Sequence, residues 1–200
     1  MKLYYSKGAC SLAVRIVLHE LKLTCEYEAV DLKTKKTEHG EDFLKINPKG
    51  AVPTLKLDDG KILTENAAIQ QYLADLGHGT KLLPAVGHFN RYRVIEWLSY
   101  VNSEFHKACG ALFNPKIPQS VKDEVFIPIV KAKLDYLDKH LANSPYLLDH
   151  HTLPDGYLFV ILSWLPHFNM DLSHWKHVFK YFNELKKRPA IADALKEEGF

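Results

Sequence analysis

The apolar pattern of this 200-residue chain changes character near residue 80, and that change limits the fold more than any single motif. Before it, short elements alternate in kind. Lys2-Leu3-Tyr4-Tyr5 reads as a strand, Leu12, Val14, Val17, Leu18 and Leu21 give helical spacing over 11–22, and a second strand runs from about Tyr27 to Leu32. This order reads as a βαβ unit. After a loop over 33–41 and a short helical piece to Ile46, Asn47-Pro48-Lys49-Gly50 reads as a turn. Thr54 to Leu57 and Lys61 to Leu63 flank Asp58-Asp59-Gly60, a hairpin signal that closes the sheet with an antiparallel pair. Thr64 is then placed to cap a helix from Glu65 to about Leu76, with Ala68, Ile69, Tyr72 and Leu73 on its buried side.

From about Phe89 onward no strand pattern competes. Tyr92, Ile95, Leu98, Phe105 and Leu112 lie at near-helical spacing, and Ile127, Val130, Leu134, Leu137 and Leu141 repeat at three and four. Between them an irregular segment is expected from Pro115 to Pro128, with Pro128 offsetting the start of the second helix. Thr152-Leu153-Pro154-Asp155 reads as a capping box. The helix it opens is apolar all round through Phe159, Val160, Leu162 and Leu165, which marks a central core helix. A last long helix is expected over about 174–187 and a short one over 190–198.

Composition narrows the partners. The chain is 46% hydrophobic and 25% charged, as in an ordinary globular protein, and its 26 basic and 24 acidic residues leave a net charge of +2. No basic stripe with interleaved aromatics speaks for nucleic acid, and the Lys33 to Lys36 cluster reads as a solvated loop. No apolar run is long enough to span a bilayer and no signal-type stretch is seen, so a cytoplasmic protein is expected. Three cysteines, Cys10, Cys25 and Cys109, form neither an even framework nor a C-x-x-C pair, which points to thiols in a reducing compartment.

Chemistry enters at Cys10. It lies where the first strand passes through Lys7-Gly8-Ala9 into the first helix, and exposed N–H groups and the helix dipole favour a thiolate there. Packing as a small hydrophobe is the alternative. Val52-Pro53, directly before a strand, is a second clue, because a proline that cannot join the ladder leaves the neighbouring main chain to an extended peptide ligand. The sequence leaves the isomer of that bond open.

Taken in order, Gly8-Ala9-Cys10-Ser11-Leu12, Asn47-Pro48-Lys49-Gly50-Ala51-Val52-Pro53, Leu63-Thr64-Glu65-Asn66, Glu96-Trp97-Leu98-Ser99-Tyr100, Glu104-Phe105-His106-Lys107 and Thr152-Leu153-Pro154-Asp155 resemble the bacterial beta-class glutathione transferases over nearly the whole chain. The resemblance implies an α/β plus all-α architecture: a thioredoxin-like glutathione-binding domain over 1–80 and an all-helical domain over 87–200 that contributes the hydrophobic substrate site. It implies conjugation of glutathione, a co-substrate and not a cofactor, to small hydrophobic electrophiles, and a homodimer. Glutathione-dependent disulfide reduction through Cys10 is a further activity it allows.

Each part of glutathione then has an implied partner. Glu65 pairs with the ammonium, the N–H of Asn66 with the γ-glutamyl carboxylate, the main chain of Val52 with the cysteinyl amide, and Lys35 with the glycyl carboxylate. Cys10 and His106 face the sulfur as the catalytic pair. Ser99, Ser103 and Glu104 are neighbours, with Glu104 reaching the ligand across a dimer interface. Tyr5, Phe113 and Trp164 are candidates for the apolar wall of the electrophile site. The chain departs from the family at Ser99, where asparagine is common, so a hydrogen bond there must be shorter or water-mediated, and at Pro154, which a first helical turn tolerates.

Two rival readings follow from the same residues: a monothiol glutathione-dependent oxidoreductase with Cys10 as nucleophile, and a non-catalytic binder of hydrophobic ligands. A metal site is not expected, since neither His150-His151 nor His174 with His177 has a cysteine or carboxylate at usual spacing.

Overall fold

A computed structural model describes all 200 residues. It divides into two compact units, residues 1–83 with 189–200, and residues 84–188. The break at 83/84 lies within the expected linker between 1–80 and 87–200, and Pro189–Phe200 groups with the first unit.

In the first unit β1 (Lys2–Tyr5) leads through α1 (Leu12–Glu20) to β2 (Glu26–Asp31), which lies parallel to β1 with Leu3 opposite Tyr27. A two-residue strand, β3 (Lys36–Thr37), pairs antiparallel with β2 inside the segment expected to be loop. β4 (Thr54–Lys56) runs antiparallel to β1 and carries β5 (Ile62–Thr64), giving the sheet order β3-β2-β1-β4-β5. Leu3 and Leu55 face each other across β1 and β4, both fully buried. α1 buries a continuous run from Leu12 to Leu18.

Helix α2 (Asn66–Leu76) starts one residue later than expected. Thr64 does not cap it: Thr64 ends β5 and accepts from Lys49 Nζ, while Glu65 precedes the helix at φ 73°. Its buried face follows the spacing from Asn66, so Asn66, Ile69, Gln70, Leu73 and Ala74 are covered and Ala68 and Tyr72 are half-buried.

The C-terminal segment packs on α1 around a buried charge, Arg15, with His19 also meeting Glu197 at 3.1 Å. Arg15 is buried, with its guanidinium over the rings of Tyr27 at 3.7 Å and Tyr5 at 4.5 Å. Its Nη1 donates to Glu197 at 2.9 Å and its Nε to Glu198 at 3.2 Å, and Glu198 also accepts from the Gly8 N–H at 2.8 Å.

The second unit is helical. α3 (Phe89–Ser99) passes through a widened turn, Tyr100–Phe105, into α4 (His106–Leu112) without breaking. The one-turn α5 (Gln119–Val121) and a second widened turn, Lys122–Phe126, lead into α6 (Ile127–Leu141), so the expected irregular segment is already helical from Gln119. The widening falls directly before Pro128, which offers no N–H to the preceding turn.

Every residue of α7 (Leu153–Leu162) is buried. Its capping box is built on Asp155, which accepts from Thr152 N–H at 2.8 Å, Thr152 Oγ1 at 3.1 Å, Leu147 N–H at 3.0 Å and the Tyr181 hydroxyl at 2.8 Å. α8 (Lys176–Lys186) buries Val178, Tyr181 and Leu185, and Asp138 from α6 accepts the N–H groups of His177 and Val178 at its start. α9 (Pro189–Glu197) is the helix that packs on α1 in the first unit.

Candidate active site

Cys10 lies in the turn between β1 and α1, half-buried and in no disulfide. Its Sγ donates to the carbonyl of Val52 at 3.4 Å, and the Val52-Pro53 bond that follows is cis. The thiol is thus held beside the main chain at the head of β4, the place where a peptide-like ligand could pair. The loop is fastened from α2 as well: Asn66 Nδ2 donates to the Cys10 carbonyl at 2.6 Å, and the fully buried Gln70 donates to Asn66 Oδ1 at 2.6 Å.

Charged groups of both signs lie in this unit. Glu65, on its positive-φ backbone, is largely exposed and its Oε1 accepts from Lys49 Nζ at 2.5 Å. Lys35 is half-buried and donates to the Gly50 carbonyl at 2.7 Å. Gly50 has φ 59°, a backbone conformation that favours glycine, and a Cβ there would press on the side chains of Leu44 at 2.9 Å and Lys35 at 3.3 Å.

In the second unit, His106 opens α4. Its Nδ1 is 2.7 Å from the Tyr157 hydroxyl, which donates to Asn102 Oδ1 at 3.2 Å. Burial first, and then the neighbouring Lys107, bring its pKa down to about 4. Its ring makes edge contacts with Tyr157 and Trp164, at centroid distances of 5.8 and 5.2 Å. Of the other candidates in this region, Ser99 is exposed and its carbonyl accepts from Ser103 Oγ, and Glu104 pairs with Lys133 of its own chain at 3.0 Å.

The expected apolar wall is built in part. Phe113 meets Trp164 edge-on at 5.5 Å and Phe168 at 4.6 Å. Phe113, His167 and Phe168, with Leu112, Lys122 and Asn169, line a cavity of about 450 Å³, while Trp164 is buried behind Phe113. Tyr5 lies in the first unit, where its ring contacts the Arg15 guanidinium at 4.5 Å and Tyr27 edge-on at 6.3 Å. No group of three His, Cys, Asp or Glu side chains could hold a metal ion.

A βαβ unit extended by an antiparallel hairpin defines a thioredoxin-like fold, here accompanied by a helical unit. Comparison with known proteins specifies the class. Residues 8–76 match the glutathione S-transferase N-terminal domain and residues 103–198 the C-terminal domain. The chain is 40% identical over 200 residues to the glutathione S-transferase GstA of Escherichia coli O157:H7, covering 100% of this chain and 99% of that one. A sphingomonad glutathione S-transferase solved with glutathione superposes with TM-score 0.96 at 43% identity over 100% of both chains. The bacterial beta-class enzyme of Sphingomonas chungbukensis does so with TM-score 0.96 at 42% identity, covering 100% of this chain and 99% of that one. The chain belongs to the glutathione S-transferase family, and its likeness is to the bacterial beta class.

Four residues around the candidates escaped the sequence reading. Gln70 and Tyr157 give no signal because a buried amide or hydroxyl at an apolar-spaced position looks like packing, and Asn102, half-buried, looks like an ordinary polar helix residue. Lys49 stood inside the turn motif and was read only as a turn residue.

Proposed function

We propose that this glutathione S-transferase conjugates reduced glutathione to small hydrophobic electrophiles, using the Cys10, Val52, Glu65 and Asn66 region of the first unit to hold the peptide. One observation carries the reading: a half-buried thiol hydrogen-bonded to the main chain before the cis-proline, at the head of an edge hairpin. In this scheme the main chain of Val52 pairs with the cysteinyl amide, Lys35 with the glycyl carboxylate, Glu65 with the ammonium, and the Asn66 N–H with the γ-glutamyl carboxylate. Ser99, Ser103 and Glu104 are neighbours of the ligand, and His106 meets its sulfur. The sulfur attacks an electrophilic carbon as thiolate, a C–S bond forms, and the leaving group departs with its bonding pair.

Phe113 and Trp164 support an aromatic electrophile site, and a homodimer is supported by the exposed rings of Phe89, Tyr92 and Tyr136 on the helical unit. A cytoplasmic location is supported by three cysteines without a disulfide. No helix is long and apolar enough to cross a membrane.

Disulfide reduction is the second reading, favoured by the position of the Cys10 thiol. The Cys10 thiolate attacks the sulfur of a glutathionylated thiol, leaving glutathione on Cys10 and releasing the other thiol. A second glutathione then regenerates Cys10 as glutathione disulfide departs. Assaying both reactions in wild type and Cys10→Ala separates the activities: disulfide reduction is lost in the variant and conjugation survives. Wild type that fails to conjugate a model aryl halide would overturn the transferase reading.

A further inference from the structure

We propose that Tyr157 is a positioning residue that fixes which ring nitrogen of His106 carries the proton, with Asn102 as its anchor. Asn102 and His106 are four residues apart on one helical stretch, so both face the side on which the Tyr157 hydroxyl lies. Tyr157 itself is fully buried within α7, a helix fixed at its start by the Asp155 network.

The hydroxyl has one proton. In the proposed arrangement it points to Asn102 Oδ1 at 3.2 Å, so that toward His106, 2.7 Å away, the hydroxyl oxygen accepts and Nδ1 supplies the N–H. A neutral imidazole has a single N–H, which leaves the lone pair on Nε2. Burial keeps the ring in this neutral form near pH 7. Edge contacts with Tyr157 and Trp164 hold its plane.

The inference rests on the transferase reading for its consequence. Nε2 takes the proton of glutathione's thiol: the S–H bond breaks, its electron pair stays on sulfur, and an Nε2–H bond forms. The resulting imidazolium donates through Nδ1 to Tyr157 and onward to Asn102, beside the thiolate it has created. Once the C–S bond has formed and the leaving group has departed as an anion, the proton passes to water.

The test reads the ring directly. Nitrogen-15 shifts of His106 in the ligand-free protein, assigned by difference against His106→Gln, are expected to show Nδ1 protonated and Nε2 bare at pH 7. A protonated Nε2 overturns the proposal. Tyr157→Phe is expected to mix the tautomers and lower kcat/KM for conjugation about tenfold, part of the 10² to 10⁴ that proton transfer supplies, with KM for glutathione nearly unchanged. Unchanged tautomer and unchanged kcat/KM overturn it. Asn102→Ala, at a half-buried position, gives the same reading if Tyr157→Phe does not fold. Asn102→Asp keeps the acceptor and is expected to restore most of what Asn102→Ala loses; no restoration overturns the direction of the hydrogen bonds. Wild type that shows no conjugation sinks the transferase reading alone, since the ring shifts are measured without substrate.

Discussion

The Asn66 side chain donates to the main-chain carbonyl of Cys10 at 2.6 Å, tying the first turn of α2 to the loop that holds the thiol. Gln70, one turn further along, donates to the Asn66 oxygen at 2.6 Å, and both amides are buried. The conformation of the thiol loop is therefore set partly from a helix that follows it by more than fifty residues. Asn66→Ala takes one of two donors from the Cys10 carbonyl, which also accepts from the Ala13 N–H at 3.1 Å, and removes the oxygen to which Gln70 Nε2 donates, so it should cost about 1–3 kcal/mol of stability in urea unfolding. In a double-mutant cycle with Gln70→Ala the two losses should fall short of additive.

Cys10 should be the one fast-reacting thiol. Burial pushes Cys25 up to about 11 and Cys109 up to about 12, and Cys109 is fully enclosed. Titration with an aromatic disulfide reagent at pH 7.5 should show about one rapid equivalent per chain, because burial holds Cys25 and Cys109 in the unreactive thiol form. Cys10→Ala should abolish that phase; a rapid phase surviving the substitution contradicts the assignment.

Arg15 should be indispensable to docking of the C-terminal segment. It is buried between two tyrosine rings and joined to Glu197 and Glu198, so Arg15→Ala strands a buried carboxylate as well as removing the packing. A loss of about 3–5 kcal/mol is expected from denaturant melts. Arg15→Lys should recover only part of it, because an ammonium lacks the planar fork that stacks and bridges.

Asp155 gathers four hydrogen bonds at the start of the core helix. Asp155→Ala should cost at least about 3 kcal/mol, and Asp155→Asn less, since the amide oxygen still accepts. Thermal unfolding with circular dichroism reads both.

Mild acid should destabilise the fold through histidine. His106 and His151 are held down to about 4 and about 3, chiefly by burial, against an ordinary value of 6.5. Below pH 6.5 the unfolded chain binds protons at these rings that the folded chain refuses, so stability present at pH 7 is lost as pH falls toward 4. Each ring should account for about 2 kcal/mol between pH 7 and 5, at 1.36 kcal/mol per pKa unit. Urea midpoints of wild type and His106→Gln at the two pH values check this: the variant should lose less on acidification.

Most of the architecture was legible because it is written in local periods. The two-residue alternation at Thr54 to Leu57, the helical spacing at Leu12 to Leu21, and the all-apolar run behind Thr152 each name an element without knowledge of its partners. Where the reading missed, a distant contact or a backbone angle had won. Two residues at Lys36 became a strand because β2 offered an edge, and α2 begins at Asn66 because Glu65 has the positive φ of 73°, outside the helical region.

The candidate site divides along the same line. Cys10, Val52-Pro53, Glu65 and His106 could be named from motifs in order, since helix starts, pre-strand prolines and titratable side chains carry their chemistry in their identity. The sequence by itself determined the succession of elements, the two kinds of unit and the residues with reactive groups. Only the tertiary structure decided that Pro189–Phe200 joins the first unit, that Val52-Pro53 is cis, and that Tyr157 and Asn102 bracket His106. The reason is physical: hydrophobic period is a property of neighbours along the chain, whereas the direction of a buried hydrogen bond depends on groups that meet only after the chain has packed.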